Sequence, residues 1–192
     1  MINEKEFEKL RKEMQDYDSE RERLIKKSRD VLKLSKQVIY AVHRDELEDA
    51  AALIKEIERE KKKLEEIAKH SPALMFEGSL KVAIQEYAEA LLYYGFIKEK
   101  RLMTAEELKI RTDHYILGLC DLPGELVRKA VFWAGKGKVE QVVLIKELVD
   151  RIYGVLLKFD FRENEIRRKF DSVKYDLRKL EDLVLDLKLK KR

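Results

Sequence analysis

A chain of 192 residues is long enough for one domain with a full core, or at most two small ones. With 42% charged residues, two prolines and seven glycines, it suits helices whose outer faces are heavily charged. The net charge of +4 does not by itself announce nucleic acid, the single Cys120 excludes an internal disulfide framework, and no apolar run is long enough to span a membrane. The start, Met1-Ile2-Asn3-Glu4-Lys5, has no signal-peptide core, so the expectation is a soluble cytoplasmic protein with no membrane contact.

From Phe7 to Val42 the apolar positions step by three and four through Leu10, Met14, Tyr17, Leu24, Val31 and Val38, which predicts a long amphipathic first helix with a heptad-like seam. Arg21, Ser28 and Ser35 are polar at seam positions. Either they mark a register shift or wet stretch, or the helix turns a polar stripe toward a cavity. Around them Arg23, Lys26, Lys27, Arg29, Lys33 and Lys36 concentrate positive charge. His43-Arg44-Asp45-Glu46 interrupts the pattern, with Asp45 as expected N-cap and Glu48 in the return position.

A second helix is expected from Glu46 to Lys69, its mixed-charge face from Glu56 to Glu66 solvated. Ser71-Pro72 is read as closing it and opening a third, from Ala73 to Lys100, with Pro72 in the first turn. Thr104-Ala105-Glu106-Glu107 is a capping box that starts a short fourth helix. A fifth runs from Asp113 to Ala134 and ends at the turn Gly135-Lys136-Gly137-Lys138, which is too short for a phosphate-binding loop. Val139 to Phe159 and Asn164 to Leu189 are the sixth and seventh. No segment alternates with period two, so the fold class is an all-α bundle, read as one domain over residues 1–192.

Glu86 and Glu89 lie inside the apolar part of the third helix, about 60° apart on one face. Buried side by side they would repel, so a cation is expected between them. A second pair, Asp121 and Glu125, flanks Pro123-Gly124, where a kink would open a groove. Four carboxylates on two packed helices suit a hard divalent ion such as Mg²⁺ or Mn²⁺, although Glu-x-x-Glu pairs are often structural. No Glu-x-x-His or His-Glu-x-x-His occurs among the prominent acids, which argues against di-iron and zinc. His43, His70 and His114 are scattered and show no acid–base pair, and Cys120 reads as a small core residue.

These segments carry a family resemblance. Arg21-Glu22-Arg23-Leu24, with Lys26, Ser28-Arg29-Asp30, Ser35-Lys36 and His43-Arg44, resembles the first helix of the translin/Trax family. Gln85-Glu86-Tyr87-Ala88-Glu89-Ala90 and Leu119-Cys120-Asp121-Leu122-Pro123-Gly124-Glu125-Leu126 are similar to the Trax acidic motifs, while Lys169-Phe170-Asp171 through Leu187 is closer to translin. The departures are Pro123, which bears on helix geometry, and Glu77-Gly78 in place of a basic pair.

The resemblance implies a seven-helix bundle assembling into an octameric shell, here a homo-oligomer of the archaeal kind, with a translin-like partner as the other arrangement. It implies that Glu86, Glu89 and Asp121, supported by Glu125, hold Mg²⁺ or Mn²⁺ and cleave RNA. With no histidine pair to activate a ribose hydroxyl, hydrolysis should leave a 3′-hydroxyl and a 5′-phosphate. Arg21, Arg23, Lys26, Lys27, Arg29 and Lys36 are the expected RNA-binding residues, taking short or single-stranded RNA with little base readout. The alternatives are a non-catalytic shell that binds RNA or single-stranded DNA, and a metal-dependent nucleotide pyrophosphohydrolase.

Overall fold

The structure, a computed structural model, describes residues 2–189, and these form seven α-helices and no strand. The first, α1 (Glu4–His43), opens on Asn3, whose side chain accepts the Glu6 backbone N–H, with Glu4 and Glu6 favourably placed in the first turn. Its seam is buried from Leu24 through Val31, Leu34 and Val38 to Val42. Ser28 and Ser35 are inside that seam, with Ser35 donating to the Val31 carbonyl at 2.9 Å, so neither faces a cavity. The part of α1 before Tyr17 runs past the bundle and leaves Phe7, Leu10 and Met14 exposed.

Asp45 is not the cap of the second helix. It adopts a left-handed conformation (φ 66°), and its carboxylate accepts the ammonium of Lys129 at 2.6 Å. Lys129 is fully buried and also donates to the carbonyls of Val42 and His43, thereby closing the C-terminal end of α1. Glu46 takes the cap position of α2 (Leu47–Ala68). On α2 the face expected to be solvated is partly inside: Lys61 is buried, and Glu60 accepts from Lys27 at 2.6 Å.

After a turn and a short 3₁₀ segment (Leu74–Phe76), α3 begins at Gly78 and runs to Glu99, so Pro72 belongs to the connection rather than to a first helical turn. Helix α4 (Ala105–Leu108) carries the Thr104–Glu107 capping box. Helix α5 (Thr112–Gly135) continues through Pro123 unbroken. Gly137 at φ +71° makes the turn into α6 (Val139–Leu156), and α7 (Asn164–Leu189) closes the chain.

Helix α3 is the centre. It packs against α1 on one side and α5 on the other, α2 lies outside α1, and α6 and α7 cover α5. Being wrapped, α3 is apolar nearly all round: Leu80, Ala83, Ile84, Ala88, Ala90, Leu91, Leu92 and Tyr93 are all buried. Each fully buried leucine here contributes about 1.5–3 kcal/mol. Glu86 and Glu89 sit on this central helix where only apolar or partnered groups are cheap. No helix among the described residues is long and apolar enough to cross a membrane.

Candidate functional site

Helices α3 and α5 approach closely at Gly118. A Cβ at that position would lie 2.7 Å from the Ala88 Cβ and 2.9 Å from both the Gln85 carbonyl and the Glu89 nitrogen. Only glycine admits this approach, and it sets the two acidic pairs beside one another. Glu86, Glu89, Asp121 and Glu125 all line one cavity of about 570 Å³, together with Gln85, Ile39, Tyr40 and the cations Lys36, Arg128 and Lys169.

The electrostatics are those of crowded acids. Burial raises the Glu86 carboxyl above the usual range, opposed by Lys36 and reinforced by Asp121. Glu89 is only 8% exposed, and burial with the charges of Asp121, Glu86 and Glu125 pushes its carboxyl up to about 9. Asp121 is partnered: the ammonium of Lys169, from α7, donates to its two oxygens at 2.7 and 2.8 Å, and Gln85 Nε2 donates to Oδ2. The other amide atom, Gln85 Oε1, is buried and has no partner.

Glu125 accepts from His43 Nε2. The other ring nitrogen, Nδ1, is hydrogen-bonded to the hydroxyl of the fully buried Tyr93 at 3.0 Å. Arg128 lies 3.9 Å from the same Glu125 oxygen. In the sequence His43 carried no site role: it stood at the break after the first helix, in the family-like His43-Arg44, and as one of three scattered histidines. Its signal is spacing, since Lys36, Tyr40 and His43 fall four and three residues apart on one face of α1. Lys169 had no local signal, because it lies 48 residues from Asp121.

The basic residues of α1 divide. Lys36 lines the acidic cavity, and with Arg29, Lys33 and Tyr40 it also lines a groove of about 730 Å³ between α1 and α2, whose other wall includes Glu46 and Asp49. Shared Lys36 and Tyr40 make groove and cavity neighbours. Arg21 instead pairs with Glu77 at 2.6 Å, Arg23 with Glu20, and Lys27 with Glu60 and Asp30 toward α2. Lys26 and Arg29 are exposed on α1. Glu77, one of the sequence departures, is thus the partner of Arg21, which lies about four turns along α1 from Lys36.

For a divalent ion the donor chemistry fits: four hard carboxylates and an unpartnered amide oxygen line one cavity. Among the described residues no three acidic, histidine or cysteine side chains converge closely enough to hold a metal ion as they stand. Asp121 is taken by Lys169 and Glu125 by His43, so closing such a site requires at least Asp121 to turn.

The crowding has a measurable consequence. A free glutamate ionises near 4.5, whereas Glu89 in the fold holds its proton to about 9. Between those values the folded chain binds the extra proton, so the stability tied to this one group is full below about pH 4.5 and is lost as pH rises toward about 9. In chelator at pH 8, Glu89→Gln should therefore melt higher than the unsubstituted chain by circular dichroism. Excess Mn²⁺ should reverse that order by stabilising the carboxylate form. A Glu89→Gln variant that melts no higher in chelator would refute the crowding, and one that still melts higher in excess Mn²⁺ would refute ion binding at this carboxylate.

A seven-helix bundle with acids from two inner helices in one cavity defines the class. The family description "Translin family" matches residues 19–191, and the chain belongs to that family. It is 25% identical to translin-associated protein X of Rattus norvegicus over 228 aligned residues, covering 96% of this chain and 78% of that protein. Its fold matches the crystal structure of apo-NeC3PO with a TM-score of 0.88 at 30% identity, covering 97% of this chain and 98% of that one. A duplex RNA complex of AfC3PO also matches with a TM-score of 0.88, at 21% identity, covering 96% and 97%.

Proposed function

We propose that this chain is the subunit of a metal-dependent endoribonuclease that hydrolyses short or single-stranded RNA inside an oligomeric shell. The observation that carries the reading is the convergence of Glu86, Glu89, Asp121 and Glu125 on one cavity adjoining a groove lined by Arg29, Lys33 and Lys36. Kinship with Trax and the C3PO fold supports it, as does the fact that AfC3PO is solved with duplex RNA.

Glu86, Glu89 and Asp121 would hold Mg²⁺ or Mn²⁺, with Glu125 completing the set. The ion supplies Lewis-acid activation for water attack on a phosphodiester. The chain's own residues do the rest. Lys36 and Arg29 neutralise phosphates leading to the cavity, giving salt-sensitive and weakly sequence-specific binding. His43, fixed by Tyr93, holds Glu125 in one orientation. Among the described residues no histidine lines the cavity, so none is placed to activate a ribose hydroxyl, and the products should carry a 3′-hydroxyl and a 5′-phosphate. The exposed stripe of Phe7, Leu10 and Met14 supplies apolar surface for assembly into a homo-oligomer, an octamer by family resemblance.

One observation favours the rival, a non-catalytic shell binding RNA or single-stranded DNA: Lys169 already neutralises Asp121. The deciding measurement is incubation of labelled single-stranded RNA with Mg²⁺, Mn²⁺ or chelator, followed by analysis of the ends. Cleavage in metal alone, with ligatable 5′-phosphates, is the expected result. Binding without cleavage in every buffer supports the rival, and 2′,3′-cyclic phosphate ends overturn the hydrolytic mechanism.

A further inference from the structure

We propose that Lys169 is a catalytic residue of this site, one that holds the place of a cation on Asp121 in the metal-free chain and passes its ammonium to a phosphate oxygen of the bound strand when a divalent ion takes Asp121. This rests on the nuclease reading above.

The geometry is specific. Lys169 Nζ lies 2.7 and 2.8 Å from the two oxygens of Asp121, the only contact under 4 Å with an acid that Lys169 makes among the described residues. Oδ2 of Asp121 also accepts from Gln85, so both oxygens are engaged and an ion at Asp121 competes with the Lys169 ammonium for them, cation against cation. The displaced ammonium has nowhere apolar to go. Its backbone is pinned, because Ile166 and Val173 on either side of it in α7 are buried, while the four-carbon stem is free to swing. Its stem can keep the ammonium in the cavity it already lines, beside Asp121 and whatever Asp121 binds.

Lys169 is also the cation best placed for the reacting phosphate. Its side chain is 27% exposed, against 61% for Arg128, and Lys36, which also lines the cavity, is exposed. A desolvated ammonium stabilises charge that develops on a phosphoryl oxygen far more than one in bulk water.

A purely structural ion pair and this role predict opposite signs. The test compares Lys169→Met, which keeps the stem and removes the charge, with Lys169→Arg, each titrated with Mn²⁺ alone by electron paramagnetic resonance and then assayed for RNA cleavage. Lys169→Met should bind Mn²⁺ at least about 5-fold more tightly, because a competing cation has gone. Its kcat should fall by about 100-fold, with the RNA KM changed less than about 3-fold. Lys169→Arg should keep Mn²⁺ affinity near that of the unsubstituted chain and recover part of kcat. Unchanged or weaker Mn²⁺ binding in Lys169→Met overturns the place-holding role, and an unchanged kcat overturns the phosphate contact. Lys169→Gln, checked for its helical melt, replaces Lys169→Met if that variant unfolds. If the unsubstituted chain cuts no RNA, the nuclease reading fails and the phosphate contact with it, while the Mn²⁺ titration still decides the place-holding role on Asp121.

Discussion

Glu89→Gln should abolish RNA cleavage while leaving RNA binding intact. Glu89 is the most buried of the four acids and lies beside the close approach of α3 and α5, so its position is fixed by the core rather than by solvent. The substitution keeps the volume and one oxygen but removes the charge, which weakens any divalent-ion site built on this carboxylate. A loss on the order of 10²–10³-fold in kcat is expected. Binding, measured in chelator by fluorescence anisotropy, should change by less than about 3-fold, because in the proposed function the phosphate contacts come from the groove lined by Arg29, Lys33 and Lys36. Full cleavage by this variant would place the chemistry elsewhere. Parallel loss of binding would mean that the substitution acts through folding or assembly.

Gly118→Val should cost about 3 kcal/mol or more in urea unfolding and remove Mn²⁺ binding with it. The first added carbon meets the Ala88 Cβ at 2.7 Å and backbone atoms of Gln85 and Glu89 at 2.9 Å, so α3 and α5 must part. Parting them separates Glu86 and Glu89 from Asp121. Even Gly118→Ala should destabilise by about 1–3 kcal/mol. Gly154 in α6 is the control. A Cβ there meets nothing within 4 Å, so Gly154→Ala should stabilise by about 0.5–1 kcal/mol through helix propensity alone. Equal effects at the two glycines would refute the close approach as the organising contact.

Much of the fold was legible because helices announce themselves locally. The α1 seam, the Thr104 capping box and the Gly137 turn all rest on interactions within a few residues. The misreadings share one cause. Asp45 has the composition of an N-cap, yet a lysine 84 residues away claims its carboxylate. Pro72 has the look of a first helical turn, yet α3 starts at Gly78 after an intervening 3₁₀ segment. Ser28 and Ser35 looked like a polar stripe, but Ser35 returns its hydroxyl to its own helix and both fit a packed seam.

Both acidic pairs were legible from the chain alone, since spacing on a helix and an apolar surrounding are local properties of α3 and α5. So was the family, through motifs spread from the first helix to the last. What those carboxylates face is set by how the helices pack. Lys169 from α7, His43 from the end of α1 and the Tyr93 behind it are distant in sequence, and periodicity carries no information about which faces of separate helices meet. The structure likewise divided the basic residues of α1, leaving Lys36 at the cavity and tying Arg21 to Glu77 and Lys27 to Glu60. A charge on a helix is a local fact, but its partner depends on which helices pack against it.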